Sequence, residues 1–179
     1  MKCWIGFSTG QAFTSKAIRL FRKAEFSHTF EIVGELSGDM MCVEAVELGV
    51  WPRPLHKHIN KETKMELWEI EVDDELFHQA VRNALARAGH AYGFLQLVGF
   101  IWVWAWALIK IDKDNPFHDG IICSEEVLMF LKDCGYKAVM DMSNNKTAPD
   151  DILRIFRACP KAKKVAEKDY GTDTLSWAA

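Results

Sequence analysis

The chain has 179 residues, of which 49% are hydrophobic and 26% charged, with a formal net charge of −3 and a pI near 6.1. That length fits one domain with a core of its own. The mild acidity excludes the basic footprint that nucleic acid requires. Lys161, Lys163 and Lys164 form a small basic cluster near the C-terminus, which reads as a solvated helix end or tail. The cysteines, Cys3, Cys42, Cys123, Cys134 and Cys159, are odd in number and contain no CxxC pair. That argues against a zinc site. Lys2 is followed at once by strand-like CWIGF, which does not read as a secretory signal. The expectation is a reducing, cytoplasmic setting; delivery by lysis or in a phage particle is compatible with the same sequence.

In chain order, CWIGFS (3–8) predicts a short strand ended by Gly10, and Ser15 is placed to cap a helix to about Lys23. SHTFEIVG (27–34) and MMCVEAVELGV (40–50) predict an antiparallel hairpin around the turn ELSGD. WPRPLHKHINKE predicts a proline-containing surface connection, and MELWEIEV (65–72) alternates like a half-exposed strand. Asp73 caps a predicted helix with Leu76, Phe77, Ala80, Val81, Ala84 and Leu85 on one side, stopped by Gly89. LVGFIWVWAWALI (97–109) is a 13-residue run without charge, too short for a helix that spans a bilayer, which needs about 20 residues. Two readings stand: a buried helix, or a membrane-surface or oligomer contact through Trp102, Trp104 and Trp106.

After the polar loop KIDKDNPFHDG (110–120), GIICSEEVLMFLKDCGY (120–136) predicts a helix that begins at Cys123 and ends near Gly135. A short strand is predicted at Lys137–Met140. A helix follows in TAPDDILRIF (147–156), with a Thr cap, an Asp at the capping-box position and Pro in the first turn. The segment 160–179 reads as a polar, partly disordered tail. The whole describes an α+β domain over residues 1–159.

Cys123 is the chemically interesting cysteine. At a helix start, unpaired backbone N–H groups and the helix dipole favour a thiolate, and the same groups suit an oxyanion. Glu125 and Glu126 oppose this, with side chains expected to point outward. The competing reading is a buried, inert thiol. A thiol nucleophile needs a base, and His28 is the one histidine inside a β-rich run, where a sheet holds a side chain rigidly. His56 and His58 read as surface-loop residues without the third partner of a metal site. Glu44, a carboxylate among Val43, Ala45 and Val46, is the candidate to orient His28, because such a group normally has a partner. Glu31 is the weaker choice, since alternation puts it on the opposite sheet face from His28.

The ordered set GFSTG (6–10), SKAIRL (15–20), SHTFEIVG (27–34), VEA (43–45), YGFLQLVGF (92–100), ICSEEV (122–127) and TAPDDI (147–152) resembles the circularly permuted papain-like amidases. These are the YiiX-like branch of the NlpC-type cysteine hydrolases, with lecithin–retinol acyltransferase a more distant relative. The resemblance covers roughly residues 4–155. Each motif is short, and the order and spacing carry the specificity. It implies a papain-like fold in which the histidine strand precedes the cysteine helix, with a small antiparallel sheet packed on helices. It implies Cys123 as nucleophile, His28 as base, Glu44 as the third polar residue and Tyr92 as a pocket aromatic. The family pattern often has Asp after that Tyr, whereas Gly93 stands here. The tryptophan-rich run is a second departure.

The expectation is therefore a cysteine hydrolase or acyltransferase acting on an amide or ester, in a cell-wall peptide or a lipid or lipopeptide, with no metal or organic cofactor. The rival is a non-catalytic binding module or phage assembly component that keeps the fold.

Overall fold

The computed structural model describes residues 1–9, 13–60, 63–93, 95, 99, 103, 106, 120–144 and 146–178. Gly10, Trp102, Trp104, His118 and most of the apolar 97–109 run lie outside the described residues. Among those described, no helix is long and apolar enough to cross a membrane.

The fold is α+β. Its strands are β1 (Lys2–Thr9), β2 (His28–Leu36), β3 (Asp39–Val46), β4 (Gly49–Pro54), β5 (Lys64–Glu71), β6 (Lys163–Lys168) and β7 (Ser176–Trp177). They form one sheet in the order β4-β3-β2-β1-β5-β6-β7, with antiparallel neighbours throughout. The helices are α1 (Phe13–Arg22), the single turn α2 (Leu55–His58), α3 (Asp74–Ala86), α4 (Cys123–Asp133) and α5 (Pro149–Ala158).

Period-2 alternation gives the sheet two apolar faces. On one, Cys3, Ile5, Phe7, Val43 and Ala45 pack against α3, α4 and α5. Aromatic edges knit that core: Phe7 meets Phe156 at 5.8 Å between centroids, and Phe77 meets Phe130 at 6.0 Å. On the other face, Phe30, Ile32, Cys42, Met65 and Leu67 are covered in part by Leu55 of α2. The first face fixes the helix that carries Cys123. The second positions the residues that surround His28.

Several expectations change. The 40–50 run is not one strand: it breaks at a turn into β3 and β4, and the proline-rich connection is largely β4 and α2. Pro52 and Pro54 are tolerated because β4 is an edge strand, where a missing N–H leaves no ladder bond unmade. β2 does not stop at Gly34 but passes it with a shift of register between Ile32 and Gly34, where φ of 143° suits glycine. Ser15 lies inside α1 rather than capping it, and its hydroxyl accepts from Ser27 at 3.0 Å. Residues Lys137–Val139 form a 3₁₀ turn, not a strand. The cap of α5 is Ala148, whose N–H donates to Asp151, while Thr147 donates to the Ser143 carbonyl. The polar 160–179 segment joins the sheet as β6 and β7, and Lys168, read as tail, is buried with Nζ donating to the Thr63 carbonyl. Asp73 caps α3 as expected, accepting from the Glu75 and Leu76 N–H groups.

A buried charge cluster locks α4 onto α3 and β2. Glu126 was expected to face solvent, yet it is fully buried. Arg87 Nε donates to its two carboxylate oxygens at 2.9 and 2.8 Å. Glu31, equally buried, finds no donor among the described residues. Burial first, and then the charge of Glu126, push the Glu31 carboxyl well above the ordinary range. The shift favours the protonated acid at Glu31. The folded chain keeps a proton that the unfolded chain loses above its ordinary pKa, so this group's stability contribution falls as pH rises from about 4.3. Glu31→Gln removes that loss, and stability at pH 8 is expected to rise by about 1–3 kcal/mol. Glu126→Gln leaves Arg87 the longer ion pair to Asp133 at 3.6 Å and is expected to cost about 3–5 kcal/mol. Urea denaturation of both variants at pH 5 and 8 checks the pair; equal effects of the two contradict the assignment.

Candidate active site

β1 ends and β2 begins at the same end of the sheet, with Ser8 paired to His28. β2 and β3 pair through Glu31 and Val43. His28 and Glu44 lie three and one residues from that pair, both odd steps, so both occupy the face opposite Glu31. Glu44 is 0% exposed. His28 Nε2 donates to Glu44 Oε2 at 2.9 Å, and Arg53 Nη1 donates to Glu44 Oε1 at 2.8 Å.

A third donor was missed in the sequence. His58 lies on the single turn α2, not on a surface loop, and its Nδ1 meets the same Glu44 Oε2 at 2.9 Å. Its Nε2 sits 3.0 Å from Ser8 Oγ. Burial pulls the His58 imidazole below its ordinary pKa, further than Glu44 can raise it. Neutral His58 therefore carries its proton on Nδ1, donates to Glu44 and accepts from Ser8. The Lys-flanked, proline-rich context of His58 hid it. The signal that would have found it is the i, i+3 spacing from Leu55, the buried residue that turns α2 inward. His56, by contrast, stays at the surface beside Asp39.

Gly6 shapes the floor of this cluster. It is paired with Phe30, and a Cβ on Gly6 would lie 2.1 Å from the Phe30 ring. The ring thus lies across the β1 backbone, where it meets His58 at 4.5 Å between centroids, and His28 stacks on His58 at 5.5 Å.

Cys123 is the first residue of α4, with Ile122 as an N-cap that offers no side-chain bond. Ser124 anchors the turn by donating to the Thr147 carbonyl at 2.7 Å. Burial raises the Cys123 thiol. The charge and hydrogen bond of His28, together with the Thr29 and Ser124 backbone N–H groups, outweigh it and hold the thiol below its ordinary pKa. Burial likewise pulls His28 down, but Cys123 and then Glu44 push it up to about 10. Glu44, despite burial, is kept well below the carboxylate range by His28 and His58. Both shifts run in the direction of a thiolate–imidazolium pair, with the Glu44 carboxylate behind the imidazole.

Tyr92 reaches the same place through an isolated bridge to Ile121, two residues before Cys123. Burial, then the Cys123 charge, keep its phenol protonated. Cys123, His28, Glu44, His58 and Tyr92 line one cavity of about 510 Å³. The structure thus brings together all four residues singled out in the sequence and adds His58, Arg53 and Ser8.

No protein-family model matches the chain, and no curated protein matches it. Among solved structures, the chain is similar to the crystal structure of metalloprotein yiiX from Escherichia coli O157:H7, DUF1105. The TM-score is 0.63 at 18% identity, over 94% of this chain and 97% of that one. The fold is YiiX-like. At that identity the likeness concerns the fold alone, and the site has to be argued from this chain's own side chains.

Gly6→Ala is expected to displace Phe30 into His58 and to lower stability by about 1–3 kcal/mol. An unchanged urea midpoint contradicts the packing described for this face.

Proposed function

We propose that the chain is a thiol hydrolase or acyltransferase with a circularly permuted, papain-like, NlpC-type arrangement, in which Cys123, His28 and Glu44 act together. The observation that carries this reading is the continuous line from buried Glu44, through His28, to a thiol at a helix start with two backbone N–H groups directed at it. The chain order supports the permutation: histidine and carboxylate precede the cysteine.

In this reading the Cys123 thiolate attacks an amide or ester carbonyl carbon, and the carbonyl oxygen takes the charge near the backbone N–H groups of the α4 start. Collapse breaks the bond to the leaving amine or alcohol, which takes a proton from His28. The acyl group is now a thioester on Cys123. Water, or another acceptor, gives a proton to His28 as it attacks, and expulsion of the thiolate completes the cycle. Glu44 keeps the imidazole in one orientation and stabilises its charged form. Tyr92 bounds the cavity beside Cys123.

The substrate class is an amide or ester in a cell-wall peptide or a lipid or lipopeptide. Ser8, Thr9, Ser27, Arg53 and Lys57 line the cavity together with Ile18, Val46 and Leu48, a mixed surface that suits a substrate with both polar and apolar parts.

Incubation with a p-nitrophenyl ester followed by intact-mass analysis tests the proposal. One acyl adduct on Cys123 is expected, absent from Cys123→Ser and formed at least about 100-fold more slowly in His28→Ala, the loss typical of a removed general base. Adducts spread over the other cysteines, or equal rates in His28→Ala, refute it.

A further inference from the structure

We propose that Glu44 Oε2, His28 Nε2 and His58 Nδ1 form a binding site for one divalent transition-metal ion of the zinc class. Among the described residues, these three ligand atoms lie within 4.8 Å of one another. Two imidazoles and one carboxylate are a donor set that suits zinc and leaves a coordination position open. All three residues line the cavity, so an ion has a path from solvent and room for a further ligand.

The atoms that surround the set fit the same use. A metal-bound histidine usually engages its second nitrogen in a hydrogen bond that fixes ring and tautomer. Ser8 Oγ lies 3.0 Å from His58 Nε2, and Arg53 holds the remaining oxygen of Glu44 at 2.8 Å. Phe30 backs the His58 ring. Glu44 is fully buried, so its charge is only weakly screened by water. Arg53 counts against a cation, but its side chain is 42% exposed and solvent screens it.

The proton balance is simple. The ion takes the place of the protons now shared between Glu44 and the two rings. His58 moves its proton to Nε2 and donates to Ser8, and His28 gives up its Nε2 proton to solvent. His28 keeps its other edge toward Cys123. A further consequence rests on the thiol reading: His28, with Nε2 on a metal, is no longer free to cycle its charge, so the bound ion opposes acyl transfer.

The test is calorimetric titration of the full chain, stripped by chelator and dialysed, with zinc chloride, and a parallel titration with cobalt(II) followed by its visible d–d absorption. One equivalent is expected, with the low-coordinate cobalt spectrum. Cys123→Ser is expected to retain it, which separates this site from adventitious binding at that thiol. His58→Gln and Glu44→Gln are expected to weaken binding by more than about 100-fold, and Ser8→Ala by about 10–100-fold, as for outer partners of ligating histidines. Arg53→Gln is expected to tighten binding, a change that a merely structural role for Arg53 does not produce. If Glu44→Gln fails to fold, by circular dichroism, His58→Gln and Ser8→Ala decide. No saturable binding in the wild type, or undiminished binding in His58→Gln, overturns the proposal. Zinc binding in a chain that gives no acyl adduct leaves this site standing and removes the thiol chemistry.

Discussion

The carboxylate of Glu44 is the constraint on which the site depends. It is fully buried, and burying an unpaired charge costs far more than a fold of this size can carry. Its two oxygens are met by three donors, His28 and His58 on one and Arg53 on the other. Each of those donors comes from a different element: His28 from β2, His58 from α2 and Arg53 from β4. Glu44 therefore fixes the β3–β4 hairpin, the helical turn α2 and strand β2 relative to one another. The imidazole that faces Cys123 inherits that rigidity.

The second constraint is where α4 starts. The Arg87–Glu126 pair and the aromatic core press α4 against the sheet, and Ser124 ties its first turn to Thr147. The helix start then falls at the end of the sheet where β2 begins, and Cys123 meets the backbone of Thr29 as well as His28. Two faces of one sheet thus contribute to a single site at its rim: the helix side supplies the thiol, the α2 side the imidazoles and the carboxylate. The same carboxylate and imidazoles lie close enough together to offer one ligand atom each to a metal ion. That double character follows from pairing two histidines with one buried acid.

Much of this was legible in the sequence, for physical reasons that differ by element. The strand runs of β1, β2 and β5 and the Asp73 cap of α3 are local signals and read correctly, but β5 is not half-exposed as its alternation suggests, since Glu66 and Glu69 are buried. Alternation also separated Glu31 from His28, and the apolar neighbours of Glu44 marked it as a carboxylate in need of a partner. The failures are where tertiary context overrides local chemistry. Pro52 and Pro54 argue against a strand unless the strand is an edge, which no local pattern reveals. The polar 160–179 segment looks like a tail because β6 and β7 lie at the other edge, where few apolar residues are needed. Glu126 looked like a surface acid at a helix start, because Arg87, its partner, is 39 residues away in sequence. His58 was passed over for the same reason: its partners Ser8 and Glu44 are distant in the chain and meet only when α2 folds over the sheet.

The measurement that tests the central claim most directly is the rate of iodoacetamide alkylation of Cys123 against pH, read by peptide mass, in the wild type and in His28→Ala. An ordinary thiol titrates near pH 8.5. The account predicts that Cys123 reacts as a thiolate well below that value. Burial is the largest influence on this thiol and acts upward, so removal of His28 is predicted to carry the midpoint above the ordinary value and not merely back to it. A wild-type midpoint at or above about 8.5, or one that His28→Ala leaves in place, contradicts the coupling of Cys123 to His28 on which the proposed chemistry rests.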